Sequence, residues 1–219
     1  IKIIKSVNEK RIINWIKKKK PHLIIQSGWS QKFNSEILKI PQIGCIGVHP
    51  SPLPIGKGAA TLNWAIIKNY KNWGVSFFLM NNKYDDGPII AKEKFLINKN
   101  DYIKDILKKF DHITSKIIKK NLLNWASNKF VYKKNKKSKI YFTKRKPSDG
   151  EFNLNMTSNK IYNLIRALST PYPGAFVYLN KKKIIVWSAK LLKLKNYSFN
   201  KKYYFRKNND IAFKTTVGF

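Results

Sequence analysis

Apolar residues recur along this chain in two rhythms, one near 3.6 and one as short unbroken runs. After Ser6 and Glu9, which stand at capping-box spacing, Ile12, Ile13 and Ile16 follow at helical intervals up to the lysines at 17–20, and Pro21 closes the segment. HLIIQ at 22–26 reads as a short buried strand, SGWSQKF as a loop, NSEIL at 34–38 as a short helical piece and IGCIGV at 43–48 as another strand. Strand, helix and strand without hairpin turns predict a parallel sheet. Residues 59–69 then predict a helix with Leu62, Ala65 and Ile66 on one face, and VSFFLM at 75–80 a strand. IIAKEKFLI at 89–97 is a strand with room to bend midway. Asp101 is placed to cap a long helix reaching Asn128, with Ile103, Ile106, Leu107, Phe110, Ile113, Ile117 and Trp125 as its core stripe.

The lysine-rich KKNKKSK at 133–139 reads as a solvated linker. The predicted organisation is a first domain over 1–132, a linker over 133–146 and a small domain over 147–219. In the last, 158–168 is amphipathic through Ile161, Leu164, Ile165 and Leu168, and PYPG breaks it. AFVYL, a turn at 180–182 and IIVWSA read as a hairpin, with KYYFR and DIAFKTT as further strands. That pattern predicts a small antiparallel barrel. The fold class expected is α/β, a Rossmann-like parallel sheet followed by an antiparallel open-barrel region.

Composition narrows the function classes. With 219 residues, 43% of them hydrophobic, the chain buries a proper core. The net charge of +34 would suit a polyanion partner, yet only four of the 45 basic residues are arginine, the residue suited to bidentate phosphate and base contacts. Lysine together with abundant Ile and Asn also fits coding from an AT-rich genome, so both readings stand. Cys45, the single cysteine, sits in an apolar run and reads as a core thiol. No apolar stretch approaches the about 18 residues that a membrane span needs, and no signal-peptide pattern opens the chain. A cytoplasmic protein is the expectation.

The candidate chemistry lies between Gly47 and Gly87. A strand delivers His49 into HPSPLPIGKG, where Pro50, Pro52 and Pro54 end the strand and stiffen the loop. In open α/β sheets ligands sit beyond the carboxyl ends of strands, which is where His49 falls. Asp85 follows a second strand, in a polar turn closed by Gly87 and Pro88. A histidine paired with a carboxylate moves protons at neutral pH. His22 and His112 have no such setting and read as structural or surface residues.

GVHPSPLPIGKGAATLNWAIIKN followed by GVSFFLMNNKYDDGPIIAKEKF resembles the catalytic core of the formyltransferases that use 10-formyltetrahydrofolate. Their pattern is Asn-x-His-x-Ser-Leu-Leu-Pro, a Gly-rich turn, a helix and an Asp-x-Gly loop. The resemblance places His49 and Asp85 on the catalytic His and Asp, and Ser51, Leu53, Pro54, Gly58 and Gly87 on flanking positions. RALSTPYPGAFVYLNKKKIIVW is similar to the start of the C-terminal region of the members acting on nucleotide-linked amino sugars. It is less similar to the linker of methionyl-tRNA formyltransferases. Against the family, the chain opens on a helix, without the first strand-helix unit, and a truncated copy with an exposed sheet edge is expected.

By that resemblance His49 accepts the proton of the attacking amine or donates to the oxyanion, and Asp85 orients the imidazole. The pterin would lie against Gln31, Lys32 and Phe33 and against Asn82, Lys83, Tyr84 and Gly87. Ser51 and Lys57 would face the acceptor, with Lys57 screening a phosphate, and a homodimer is implied. No metal is implied. One departure stands out: the family's Asn two residues before the His is Gly47 here. Losing such an oxyanion donor costs about 10²–10³ in rate. Gln26 and Asn63 are the candidate substitutes. The activity implied is formyl transfer to a nucleotide-linked amino sugar. The alternatives are methionyl-tRNA formyl transfer and a non-catalytic folate-binding relative, with glycinamide ribonucleotide formyl transfer last.

Overall fold

The computed structural model describes residues 6–29, 31–138 and 140–191, and beyond them 203–205, 211–213 and 215. Two units divide the chain: 1–61 with 72–96 and 108–144 form one, and 62–71 with 97–107 and 145–219 the other.

The first unit opens with α1 (Lys10–Lys19), whose Ile12 and Ile13 are buried and whose last turn carries Lys17, Lys18 and Lys19. Cations there complement the partial negative charge of a helix C-terminus. The predicted capping box does not form. Glu9 is the N-cap without a side-chain bond; its carboxylate pairs with Arg11 at 2.6 Å, while Ser6 Oγ accepts from Asn8 N. β1 (Leu23–Gln26) follows, then α2 (Ser35–Leu38), where Asn34 Oδ1 accepts from Ile37 N as the cap. β2 (Gly44–His49) lies parallel to β1, as expected from the helical connection between them.

β3 (Lys57–Gly58) precedes α3 (Thr61–Ile67), which begins at the edge of this unit. β4 (Asn72–Leu79) runs antiparallel to β2, and β5 (Ile89–Leu96) antiparallel to β4. The sheet is therefore mixed, in the order β1-β2-β4-β5, with parallel pairing confined to β1 and β2. Phe77 faces Ala91 while Phe78 faces Ile89, so the pairing of β4 with β5 slips by one residue at Ile90. Bulges of this kind bend a strand and re-aim the residues next to them, and this one lies beside the loop that carries Asp85.

α4 (Ile103–Ala126) buries Ile103, Ile106, Ile113, Ile117 and Trp125, the predicted stripe, while Leu107 and Phe110 are half-buried. It starts two residues after Asp101, with Asp105 Oδ2 accepting the Tyr102 N–H. The Trp125 ring meets Phe77 at 5.4 Å. Val7, Ile12, Ile13, Phe33, Ile37 and Cys45 make one core cluster, and Leu53, Phe78 and Ile89 another. β6 (Tyr141–Phe142) closes the unit by pairing parallel with β3. The lysine-rich segment before it is exposed at Lys134, Lys136 and Lys137, but Ile89 and Lys133 exchange both backbone hydrogen bonds.

In the second unit α5 (Ser158–Leu168) starts at Thr157, whose side chain accepts from Lys160 N, and buries Ile161, Leu164, Ile165 and Leu168. Arg166 is buried too; its guanidinium donates to the carbonyls of Asn98 and Asp101 and to Asn163 Oδ1. β7 (Ala175–Leu179) and β8 (Lys182–Val186) form the predicted hairpin. Its turn residues Asn180 and Lys181 both have positive φ, 48° and 65°, as a type I′ turn demands. β9 (Tyr203–Phe205) and β10 (Ile211–Phe213) make a second antiparallel pair. Among the described residues no helix is long and apolar enough to cross a membrane.

Cys45 is 2% exposed and burial pushes its thiol up to about 12. A thiol reagent at about pH 8 should leave the native protein unlabelled and react only as urea opens the fold, the labelling following the loss of tryptophan fluorescence. Complete labelling of the native protein within minutes would contradict this packing.

Candidate active site

Three prolines leave the loop after β2 short of N–H donors, and its carbonyls take their partners from elsewhere. Pro50 O accepts from Thr61 Oγ1 at 2.6 Å and from Trp73 Nε1 at 2.8 Å. Ser76 Oγ donates to Ser51 O at 2.8 Å and accepts from Leu53 N at 2.9 Å. Lys92 Nζ donates to Leu53 O at 3.0 Å, and burial pushes its ammonium down, with Lys94 and Lys133 adding repulsion. The loop that follows His49 is thus fixed by side chains of β4 and β5. Sequence reading missed Ser76, Trp73 and Lys92, because nothing local marks a strand residue as a partner of a distant loop.

His49, 6% exposed, sits at the end of β2 with its Nδ1 3.4 Å from Asp85 Oδ1 and its Nε2 2.9 Å from Gly56 O. A carbonyl can only accept, so Nε2 carries the proton of that bond. Asp85 has a φ of +48°, a backbone region that L residues rarely adopt. Its other carboxylate oxygen accepts from Gly58 N at 3.0 Å. The two residues singled out for catalysis are therefore brought together.

Around them Lys57 is 6% exposed and pairs with Asp86 at 2.7 Å. The hydrogen-bonded Lys57 ammonium holds the Asp86 carboxyl below the usual carboxylate range. Ser51 is fully buried, and its Oγ has no hydrogen-bond partner among the described residues. Gly87 is obligatory, since a Cβ there would stand 1.6 Å from Leu79 O. Tyr141, which no sequence signal marked, lays an exposed ring over Gly58. Its phenol is pushed up by burial and then by the charges of Asp85 and Tyr84.

The two loops assigned to the pterin approach one another, with Lys32 Nζ 5.1 Å from the centroid of the Tyr84 ring. Gln31 Oε1 accepts from Val7 N, and Lys32 O accepts from Asn8 Nδ2. Phe33 is packed in the core beside Cys45, which leaves its backbone, not its ring, to face a ligand. Asn82, Lys83 and Tyr84 are exposed.

Both candidate substitutes for the missing Asn already donate to backbone carbonyls. Gln26 Nε2 donates to Trp29 O, and Asn63 Nδ2 donates to Ala167 O at 2.8 Å. At Gly47 itself a Cβ would lie 2.6 Å from Phe78 Cζ, 2.8 Å from Phe78 Cε1 and 3.2 Å from Met80 Cγ. An aromatic ring fills the space a side chain would need. Among the described residues no group of His, Cys, Asp and Glu is arranged to hold a metal ion.

Residues 4–122 match the formyl transferase family model and residues 144–216 match the formyl transferase C-terminal domain. The chain is 37% identical over 195 residues to the bifunctional polymyxin resistance protein ArnA of Wigglesworthia glossinidia brevipalpis, covering 85% of this chain and 29% of that protein. It is 27% identical over 186 residues to the methionyl-tRNA formyltransferase of Caldanaerobacter subterraneus subsp. tengcongensis, covering 84% and 60%. The chain thus spans less than two thirds of either relative. A sugar N-formyltransferase from Shewanella sp FDAARGOS_354 superposes with a TM-score of 0.70 at 24% identity, over 86% of this chain and 77% of that one. At that identity the likeness carries the fold alone.

Gly47→Asn should lower stability by about 1–3 kcal/mol in urea denaturation, the usual cost of overpacking. Phe78→Leu lacks the two ring atoms in the way, so the double variant should lose at least about 1 kcal/mol less than the two single losses added. Simple additivity would show that the ring and the bare glycine are not coupled.

Proposed function

This chain belongs to the formyl transferase family, and we propose on that premise that it passes the formyl group of 10-formyltetrahydrofolate to the amine of a nucleotide-linked amino sugar. The observation that carries the reading is the 3.4 Å approach of His49 Nδ1 to Asp85 Oδ1 at the end of β2. The sugar acceptor is supported by the similarity of RALSTPYPGAFVYLNKKKIIVW to sugar-acting members.

In the proposed reaction the acceptor nitrogen bonds to the formyl carbon, and the bond from that carbon to the folate nitrogen breaks. The amine gives up one proton and the folate nitrogen regains one. With a proton on each ring nitrogen, Asp85 accepts from Nδ1 and the Nε2 proton, given to Gly56 O at rest, is presented to the oxygen on which negative charge grows. His49 then stands in for part of what the bare Gly47 cannot offer. Backbone at 82–85 and at 31–33 would cradle the pterin, a role supported by the Lys32–Tyr84 contact that draws the two loops together.

A second reading, methionyl-tRNA as acceptor, is favoured by the net charge of +34 and by the relative of that name. The test offers 10-formyltetrahydrofolate with a panel of nucleotide-linked amino sugars and with charged initiator tRNA, and follows tetrahydrofolate release. Turnover with a sugar nucleotide, reduced about 10²–10⁴-fold by His49→Ala, is expected. Turnover on tRNA alone, with binding that falls steeply as salt rises, would move the assignment to the second reading. Folate binding without turnover on any amine would make the chain a non-catalytic relative.

A further inference from the structure

Asp85 meets His49 against the direction of the chain. In the antiparallel pairing Ser76 stands beside His49 and Leu79 beside Ile46, so β4 ends three positions back from the histidine. A loop leaving there must return about 10 Å along the sheet to bring a carboxylate to Nδ1. Gly87 is jammed against Leu79 O and Pro88 O accepts from Leu79 N, which anchors the far end of the loop at the strand it has just left. Between these points Asp85 holds a φ of +48°. A conformation so sparsely populated persists where surrounding bonds over-determine it.

Asn135 supplies such bonds. Its Nδ2 donates to Asp85 O at 2.8 Å and to Gly87 O at 3.1 Å, gripping the carbonyls on either side of Asp86. Both partners are acceptors, so the amide nitrogen and not its oxygen has to face them, and Oδ1 is buried without a partner among the described residues. The residue is carried in by a segment pinned at both ends: Lys133 bridges Ile89, and β6 pairs with β3, whose Gly58 N–H holds the Asp85 carboxylate. The backbone of Asp85 is thus held by Asn135 and its carboxylate by Gly58 N.

We propose that Asn135 is a positioning residue, which by holding the carbonyls of Asp85 and Gly87 keeps the Asp85 carboxylate against His49 Nδ1. The proposal rests on the formyl-transfer reading for its kinetic consequence but not for its geometry. Asn135→Ala should lower kcat about 10- to 100-fold with KM little changed, as a misplacement of about 1 Å does. Asn135→Asp, the same shape with an oxygen facing both carbonyls, should lose at least as much, and Asn135→Gln less than either. In an Asp85→Ala background Asn135→Ala should cost nothing further, which a merely structural role would not produce.

Independently of turnover, the nitrogen-15 resonance of His49 Nδ1 should shift in Asn135→Ala in the same direction as in Asp85→Ala. An unchanged kcat in Asn135→Ala, equal losses in both backgrounds, or an unmoved Nδ1 resonance would overturn the proposal. A wild type that transfers no formyl group to any acceptor would overturn the functional reading instead, and the resonance would still decide the role of Asn135.

Discussion

The pairing of His49 with Asp85 depends on a loop being held where its own strands do not take it. β4 delivers the chain to Ile46, not to the end of β2, and local preference opposes the backbone angle at Asp85. The opposing strain is met by polar contacts from residues distant in sequence: Gly58 N on the carboxylate, Asn135 on the carbonyls and Lys57 on the neighbouring Asp86. The proline loop beyond His49 poses the complementary problem. It is rigid but poor in donors, so Trp73, Ser76, Thr61 and Lys92 are drawn in to satisfy its carbonyls. Rigid backbone on one side and a tethered turn on the other fix two side chains that the sheet alone would leave apart.

What the sequence made legible was local. An apolar run broken by prolines places His49 at a strand end whatever the rest of the chain does. The spacing of Ile161, Leu164, Ile165 and Leu168 marks α5, and two apolar runs about a short turn mark the hairpin of β7 and β8. Illegible were the residues whose partners are remote. Asn135 lies among lysines that read as a solvated tether, and its amide acquires meaning only once Asp85 has been folded back. Glu9 kept the capping spacing yet turned to Arg11, a competition between two local partners that spacing does not decide. The mixed sheet was hidden for a similar reason: alternation marks a strand, while its direction is set by what it pairs with.

Gly47 shows how an apparent loss is absorbed by packing. Phe78, at the position where β4 and β5 slip register, puts its ring edge where a side chain would stand. The amides of Gln26 and Asn63 meanwhile donate to Trp29 O and Ala167 O.

That locality decides how the net charge of +34 bears on the site. Exposed lysines farther than a Debye length, about 8 Å at physiological salt, are screened from His49. Lys57 is shielded by protein and committed to Asp86, while Lys92, an exposed residue, donates to Leu53 O. Lys57 turns to a ligand only by giving up its bond to Asp86. The field felt at the imidazole is therefore set chiefly by Asp85, and in the proposed reaction the lysine-rich surface would act on how an anionic acceptor approaches, not on how its amine reacts.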